Sequence, residues 1–294
     1  MKKILIGIDG GGTKTRSIVS DIHGNILASG IGGPANIRIS VEQAWNSIYQ
    51  SINDAFSKCG LSLISSECEY NIGLGLAGIS VQSAKENFLQ TKHPFANLLL
   101  ESDAYIACLG SNGGGNSSII SVGTGVAAYY INDFKHKKIG GWGFPHSDTG
   151  GGAWFGMEAV RATFKAIDGI IKFSYLTKEI FVKFKFSPYE LSSWANNAKS
   201  TDFATLCDLV FEAYLQGDIQ AKKLINIAVK EILKISLVLK QDSGNEKSFL
   251  IGGLSEKLID FLPKDSNISL SDKSNSPEKG ALLLIKNSFT NIND

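Results

Sequence analysis

The fold is decided by residues 4–15, which read ILIGIDGGGTKT. The apolar run predicts a buried strand, and it ends at Asp9, which three glycines follow. Consecutive glycines let backbone N–H groups converge on an anion, because no Cβ atom blocks the approach. The stretch is neither a Walker A sequence nor a dinucleotide fingerprint, since both require other residues at fixed spacing. It predicts a strand that ends in a phosphate-binding loop, with a plain tight hairpin as the alternative.

This candidate loop, called the first loop below, offers backbone donors, hydroxyl donors and a carboxylate. Its members are Asp9, Gly10, Gly11, Gly12, Thr13, Lys14 and Thr15. Mg²⁺ usually binds proteins through its own water molecules and one or two carboxylates. Asp9 is therefore the candidate residue for a metal ion.

Outward from the first loop, strands alternate with amphipathic helices, which is typical of an α/β layer architecture. The early strands follow one another as hairpins, so the sheet should be mixed rather than purely parallel. Ser40 is the expected N-cap of the first helix. The predicted elements of this part are strands at 4–8, 15–21, 25–31, 70–76 and 97–100, and helices at 41–59 and 83–90.

A polar, glycine-rich stretch at residues 111–116 is the best boundary candidate. After it the opening pattern of strand, Gly/Thr turn and strand returns, which indicates a weak internal duplication with chance as the alternative. We therefore predict an N-terminal domain over 1–110 and a C-terminal domain over 111–294. The later predicted elements are strands at 118–122, 126–131 and 249–251, and helices at 151–166, 219–240 and 277–286.

Four further motifs could carry chemistry, and each has a structural alternative. The turn at Gly123, Thr124 and Gly125 follows a strand and is a candidate second phosphate loop, or an ordinary turn. Asp103 ends a strand, where ligands of α/β sheets bind, or it caps the next helix. Residues 140–153, GGWGFPHSDTGGGA, hold more glycine than a connection needs, although Asp148 could cap a helix. Residues 251–256, IGGLSE, would let a flat ring lie against the backbone.

Composition excludes several classes of function. The 294 residues include 29 basic and 28 acidic side chains, so a net charge of +1 does not suggest nucleic acid or an anionic membrane as partner. The four cysteines show no metal-ligand spacing and are typical of buried thiols in a reducing compartment. The first apolar run is too short for a signal peptide, and no segment has the ~20 apolar residues that span a bilayer. We expect a cytoplasmic protein.

In this order and spacing, the motifs resemble those of the N-acetylglucosamine and glucosamine kinases of the BadF/BadG/BcrA/BcrD ATPase family, within the actin-like ATPase superfamily. The resemblance runs from Asp9 to about Gly280. It implies two RNase H-like domains, each a mixed sheet with helices on both faces, and a cleft between them. The N-terminal domain would hold the first loop, the sugar site and the catalytic aspartate. The C-terminal domain would hold the second loop and the adenosine motif, with the last helix free to pack back on the N-terminal domain.

The resemblance also implies a role for each motif in an ATP-dependent, Mg²⁺-dependent transfer of phosphate to the 6-hydroxyl of a small amino sugar. Both loops are similar to loops that bind the phosphates of ATP. Asp103 resembles the catalytic base. The adenosine motif would be Gly252, Gly253 and Leu254. The sugar would contact Asn36, Asp103, Gly141, Trp142 and Asp148.

One departure from the family pattern lies in the second loop, where Val126 stands in place of a serine and removes one hydroxyl contact to phosphate. Two alternatives stay open at this point. One is an ATPase activator of a 2-hydroxyacyl-CoA dehydratase, which needs thiolate ligands for an iron–sulfur cluster. The other is a nucleotide or sugar sensor without catalysis. The sequence does not separate N-acetylglucosamine from glucosamine, and a homodimer is expected only from the family.

Overall fold

The computed structural model describes residues 1–133, 135–272 and 275–290, which fall into two compact units. Unit 1 comprises Met1–Ser117, Tyr130–His136 and Ser271–Asp294. Unit 2 comprises Ser118–Tyr129 and Lys137–Leu270. The chain therefore returns to unit 1 twice, and the boundary between residues 110 and 111 stays a prediction for the functional domains.

The first sheet has five strands, β1 (Lys2–Gly10), β2 (Thr15–Asp21), β3 (Ile26–Gly32), β4 (Cys68–Leu76) and β5 (Asn97–Ser102). Their order is β3-β2-β1-β4-β5. β2 is antiparallel to both β1 and β3, whereas β4 is parallel to both β1 and β5. The sheet is mixed, as the early hairpins predicted.

The second sheet also has five strands, β6 (Ser117–Val122), β7 (Val126–Asn132), β8 (Lys135–Gly140), β9 (Ser248–Ile251) and β10 (Ile268–Leu270). Their order is β10-β9-β6-β7-β8. β9 is parallel to both of its neighbours, β6 and β10. The strand at 135–140 was not predicted, because its first four residues are lysines and a histidine, which give a weak strand signal.

The α-helices are α1 (Val41–Cys59), α2 (Gln82–Gln90), α3 (Asp103–Ser111), α4 (Gly152–Ile167), α5 (Tyr175–Lys183), α6 (Pro188–Asn197), α7 (Ser200–Ala204), α8 (Cys207–Leu215), α9 (Ile219–Ser243), α10 (Ser255–Leu258) and α11 (Pro277–Thr290). The long helices were predicted to within a few residues, and the α/β fold class is confirmed. The short helices α5 to α8 were not predicted. Within the described residues, none of the helices combines the length and apolar character of a membrane span.

Local chemistry explains the bounds of α1. The Ser40 side chain accepts a hydrogen bond from the Gln43 backbone N–H, and Gly60 ends the helix in the left-handed conformation at φ 69°. One face of the helix is buried in the core of unit 1 through Trp45, Ile48, Ile52 and Phe56. Full burial of such a side chain contributes about 1.5–3 kcal/mol, so packing rather than helix propensity holds α1 on the sheet.

The two faces of β1 contact different helices, because side chains alternate along a strand. Its isoleucines belong to the core under α1, whereas Leu5 on the opposite face packs with Ile285 of α11. On that second face a Cβ atom at Gly7 would lie 2.2 Å from the Glu278 carbonyl oxygen, so the first turn of α11 rests on the β1 backbone. Asp9 shares this face with Leu5 and Gly7, and its side chain therefore lies on the side of the sheet where α11 begins.

The helices α3 and α11 cross at two glycines. A Cβ atom at Gly280 would lie 1.9 Å from the Ile106 carbonyl oxygen and 2.8 Å from the Gly110 backbone nitrogen. Real Cβ contacts do not approach backbone atoms so closely, so the crossing depends on glycine. It fixes the C-terminal half of α3 relative to the N-terminal end of α11.

We expect Gly280→Ala to lower the stability of the protein. Alanine favours a helix by about 1 kcal/mol, but the overlap with a backbone oxygen forces the helices apart, and overpacking of this kind costs about 1–3 kcal/mol or more. The melting temperature in a thermal scan should fall by several degrees, at roughly 2–4 °C per kcal/mol. Lys279→Ala, the neighbouring substitution on α11, should stay close to the parent protein. A melting temperature of Gly280→Ala at or above the parent value would contradict the crossing.

Candidate active site

The C-terminal ends of three parallel strands meet at one edge of the first sheet. Asp9 of β1 is in register with Gly75 of β4, and Gly75 is in register with Glu101 of β5. Neighbouring strands lie about 4.8 Å apart, so the ends of β1 and β5 are separated by about 10 Å. Asp103 begins α3 just beyond β5. The sheet thus brings Asp9 and Asp103 to the same edge, which is where open α/β sheets bind ligands.

The first loop joins β1 to β2 and leaves space on its outer side. Gly10 is required by packing, since a Cβ atom there would lie 2.5 Å from a methyl carbon of Leu76. In contrast, a Cβ atom at Gly12 would meet nothing within 4 Å, and one at Gly11 would make only ordinary contact. Neither of these two glycines has a positive φ. A plain hairpin therefore does not account for them, whereas close approach of a ligand to the backbone does.

Thr15 lies inside unit 1 rather than on the outer side of the loop. It is fully buried, and its hydroxyl donates a 2.7 Å hydrogen bond to the carbonyl oxygen of Gly33. That bond ties the start of β2 to the segment after β3. Thr13 and Lys14 are exposed, so their side chains can reach a ligand in solvent.

The Asp9 carboxyl group has a strongly altered acidity. Burial, followed by the negative charge of Glu278, raises its pKa from 3.8 to about 6, and Asp103 acts in the same direction. Arg16 and Lys14 act in the opposite direction, and the Arg16 Nη1 atom lies 4.0 Å from Asp9 Oδ2. The side chain is only 20 % exposed. An aspartate held among other carboxylates in this way is typical of a functional site.

Asp103 is not the cap of α3. The cap is Ser102, whose side chain accepts a 3.1 Å hydrogen bond from the Tyr105 backbone N–H. Asp103 is the first helical residue, and its carboxylate is exposed. Among the residues that the structure describes, its Oδ1 atom accepts only from the next backbone N–H, that of Ala104, at 2.9 Å. The capping alternative is therefore not the arrangement found, and the carboxylate stays accessible.

Asn36 lies near the same edge. It forms a bridge with Ala77, and the Ala77 backbone N–H donates to the carbonyl oxygen of Gly10 at 2.9 Å. The Asn36 Oδ1 atom accepts from the Arg38 backbone N–H at 3.1 Å. Its side-chain amide nitrogen therefore remains the group that could donate to a ligand. Unit 1 thus brings together the first loop, Asn36 and Asp103.

In unit 2, the second loop joins β6 to β7 and contacts Asp148. A Cβ atom at Gly125 would lie 2.4 Å from the Asp148 Oδ2 atom, so this glycine makes room for the carboxylate. Asp148 itself has a positive φ of 72°, which is uncommon for a residue other than glycine. Its Oδ1 atom is buried and has no hydrogen-bond partner within the described part of the chain. Gly151, not Asp148, is the N-cap of α4.

A pocket of about 450 Å³ lies within unit 2, a size suited to a small molecule. Asp148 and Trp142 line it, and the Trp142 side chain is 87 % exposed. The neighbouring position, Gly141, requires glycine. Its φ is 66°, and a Cβ atom there would lie 2.8 Å from the Cβ atom of Ala127. Val126, the residue that departs from the family pattern, is 4 % exposed and forms part of the pocket wall.

The glycine pair after β9 lies beside β6. Gly252 has φ 96°, and a Cβ atom there would lie 2.5 Å from the Val122 carbonyl oxygen, which also accepts from the Leu254 backbone N–H at 3.0 Å. Leu254 is buried, whereas a Cβ atom at Gly253 would meet nothing within 4 Å. Gly252 is thus needed by the fold, and Gly253 is the open position. The motif and the second loop are neighbours in unit 2.

Sequence reasoning did not find two features of these sites. One is Glu278 at the start of α11, the strongest charged neighbour of Asp9. The other is the wall that α9 contributes to the unit 2 pocket, with Glu231 and Lys234 among its members. A carboxylate in the first turn of a helix and charges along a long helix are both common on solvated surfaces, so neither carries a distinctive signal.

Similar proteins give these residues a context. Glucosamine kinase GspK from Vibrio cholerae is 32% identical over 257 residues, which are 87% of each chain. N-acetyl-D-glucosamine kinase from Dictyostelium discoideum is 29% identical over an alignment of 318 positions, which covers 98% of this chain and 99% of that one. The crystal structure of a proposed N-acetylglucosamine kinase from Chromobacterium violaceum superimposes with a TM-score of 0.81 at 30% identity, covering 96% and 98% of the two chains.

The fold, the motifs and the relatives agree. The two sheets with their helices match those of a two-domain kinase structure, which confirms the actin-like ATPase fold predicted from the motifs. The model of the BadF/BadG/BcrA/BcrD ATPase family matches residues 6–283, a span that contains every motif described above. The chain belongs to the BadF/BadG/BcrA/BcrD ATPase family.

Proposed function

We propose that this protein is an ATP-dependent kinase that phosphorylates the 6-hydroxyl group of glucosamine or N-acetylglucosamine. The observation that carries the proposal is the placement of Asp103. Its carboxylate is exposed, it does not cap α3, and it lies at the same sheet edge as Asp9 and the first loop. An accessible carboxylate beside a phosphate-binding loop is what transfer to a hydroxyl requires. The relatives named as amino-sugar kinases support the choice of substrate.

In this proposal each loop offers backbone N–H groups that can bind phosphate. Gly11, Gly12 and Gly123 leave the backbone accessible, since Cβ atoms there would make no close contacts. Lys14 and Thr13 add exposed donors. Gly253 offers open backbone for the adenosine group. Catalysis of phosphoryl transfer depends mostly on positioning and charge neutralisation, which these groups supply.

The residues around Asp9 also fit a hydrated Mg²⁺ ion. Asp9 is a largely buried carboxylate whose pKa is raised by burial and by Glu278, so a cation would be bound favourably there. Asp9 would hold the ion, which supplies neutralisation of the charge on the transferred phosphoryl group. Asp103 accepts the proton of the sugar hydroxyl, and Asn36 donates to another sugar oxygen.

The pocket of unit 2 contains side chains whose chemistry suits a sugar. The exposed Trp142 ring suits the apolar face of a pyranose, and the unpaired Oδ1 atom of Asp148 can accept from a sugar hydroxyl. The wall contains the Glu231 carboxylate, which suits the ammonium group of glucosamine. It also contains the apolar side chains of Ile235 and Val238, which suit an acetyl methyl group. Both amino sugars therefore enter the proposal.

ADP release with Mg–ATP is the test, measured with glucosamine, N-acetylglucosamine, N-acetylmannosamine, glucose and no sugar. One of the first two sugars should raise the rate at least about tenfold over the sugar-free reaction. The same result identifies the substrate. If none of the sugars stimulates ADP release, the proposal is wrong, and an iron assay then tests the activator alternative, which the relatives do not favour.

A cytoplasmic location and a homodimer complete the proposal. The reaction consumes ATP, which the cytoplasm supplies. Size-exclusion chromatography with light scattering measures the oligomeric state directly.

A further inference from the structure

Glu278 has a buried oxygen atom without a partner. It is the second residue of α11, it is partly buried, and its Oε2 atom accepts no hydrogen bond from any residue that the structure describes. A buried carboxylate oxygen without a donor is costly, so such atoms in folded proteins usually face a water molecule or an ion.

An ordinary explanation for Glu278 is the helix dipole, which favours negative charge in the first turn. Glu42 occupies the same position in α1, and there the side chain is exposed to solvent. The dipole therefore does not require burial, and it leaves the inward position of Glu278 unexplained. The two glutamates form a natural pair for comparison.

The position of Glu278 is set by backbone contacts that also position Asp9. The Glu278 carbonyl oxygen rests against Gly7, two residues before Asp9 and on the same face of β1. Gly280, two residues further on, fixes α11 against α3, which carries Asp103. Each of these contacts joins backbone to backbone, so the backbone segments that carry Asp9, Asp103 and Glu278 are held in place relative to one another.

The charged groups around Asp9 agree with this geometry. The Arg16 Nη1 atom lies 4.0 Å from Asp9 Oδ2. Glu278, Asp103 and Lys14 are the other charged side chains that act on Asp9 electrostatically. The end of β1 therefore combines three carboxylates with two cationic side chains, and like charges in one site are held together at a cost.

We propose that Glu278 is a positioning residue of the Mg²⁺ site, where its free oxygen accepts a hydrogen bond from a water molecule of the hydrated ion that Asp9 holds. The inference rests on the proposed function, because the ion enters with ATP. Outer partners of this kind orient the water shell of a metal, and their loss typically lowers metal affinity 10–100-fold.

The test measures binding of Mn²⁺, a paramagnetic substitute for Mg²⁺, to the full chain in the presence of the non-hydrolysable ATP analogue AMPPNP. Electron paramagnetic resonance detects the bound ion. Glu278→Gln keeps the shape of the side chain and removes its charge. The Mn²⁺ dissociation constant should rise about tenfold or more. Glu42→Gln makes the same change at the same helix position and should leave that constant unchanged.

The outcomes separate this inference from the proposed function. Weaker Mn²⁺ binding by Glu278→Gln, with Glu42→Gln unchanged and the melting temperatures of both variants alike, supports the positioning role. Unchanged or tighter Mn²⁺ binding by Glu278→Gln overturns it. If the parent protein binds no Mn²⁺ with AMPPNP, the nucleotide site of the proposed function fails, and this inference fails with it.

Discussion

Asp103→Asn should lower kcat by about 10²–10⁴-fold, the range that a general base contributes. The amide cannot accept the proton of the attacking hydroxyl, although it has nearly the size of the carboxylate. Because Ser102 rather than Asp103 caps α3, the fold should be unaffected. Sugar-stimulated ADP release at saturating substrates measures the effect, and calorimetry with AMPPNP should show unchanged nucleotide binding.

Asp168→Asn is a suitable control for this prediction, since Asp168 is exposed at the C-terminal end of α4, outside both candidate sites. Its kcat should match the parent value. A kcat of Asp103→Asn within a few-fold of the parent would remove Asp103 from the role of base, and Asp148 would then be the next carboxylate to test.

Asp9→Asn should abolish most activity while making the ligand-free protein more stable. Loss of the carboxylate that is proposed to hold Mg²⁺ should cost at least about 10² in kcat, because the ion would neutralise the charge on the transferred phosphoryl group. The free energy of unfolding should increase, because burial and the charge of Glu278 destabilise the ionised carboxylate in the folded protein. Each pKa unit corresponds to 1.36 kcal/mol, so a gain on the order of 1–3 kcal/mol is expected at pH 7.

The pH dependence of the melting temperature checks the sign of this effect on stability. The pKa of Asp9 is about 6 in the folded chain and near 3.8 when unfolded, so folding binds a proton between these values. Ionised Asp9 therefore costs stability above pH 6, and the cost disappears as the pH falls from 6 towards 4. Melting temperatures of parent and Asp9→Asn, without metal or nucleotide, should differ most at pH 7–8 and converge near pH 4. A parent protein more stable than the variant at pH 7 would contradict the raised pKa.

The sequence predicted what local patterns encode. The helix at 41–59 and its N-cap were predicted because the apolar spacing and Ser40 point to the same start, and the structure confirms both. The first loop was predicted because an aspartate followed by three glycines and a threonine is more than a hairpin needs. In contrast, Ser102 and Asp103 are both good caps, and only the backbone shows that the serine fills this position. The short helices α5 to α8 have too few turns for a clear period.

The partners of the candidate site could not be predicted, because they come from remote parts of the chain. Glu278 lies near enough to act electrostatically on Asp9 because Gly7 lets α11 approach β1. The sequence pattern around Pro277 does not indicate this proximity. Likewise, the contact between Gly125 and Asp148 joins two motifs that were read separately. Long-range packing decides both, and it leaves no local periodic signal.

The contribution of α11 to unit 1 has a consequence for synthesis of the protein. β1 to β5 leave the ribosome long before α11, by on the order of ten seconds at ordinary elongation rates. Until α11 is made, the sheet face that carries Gly7 and Leu5 lacks the helix that packs on it. Residues 137–270 of unit 2 are complete before that helix is made. Nascent chains therefore display an uncovered apolar surface during translation, which is the kind of surface that chaperones bind.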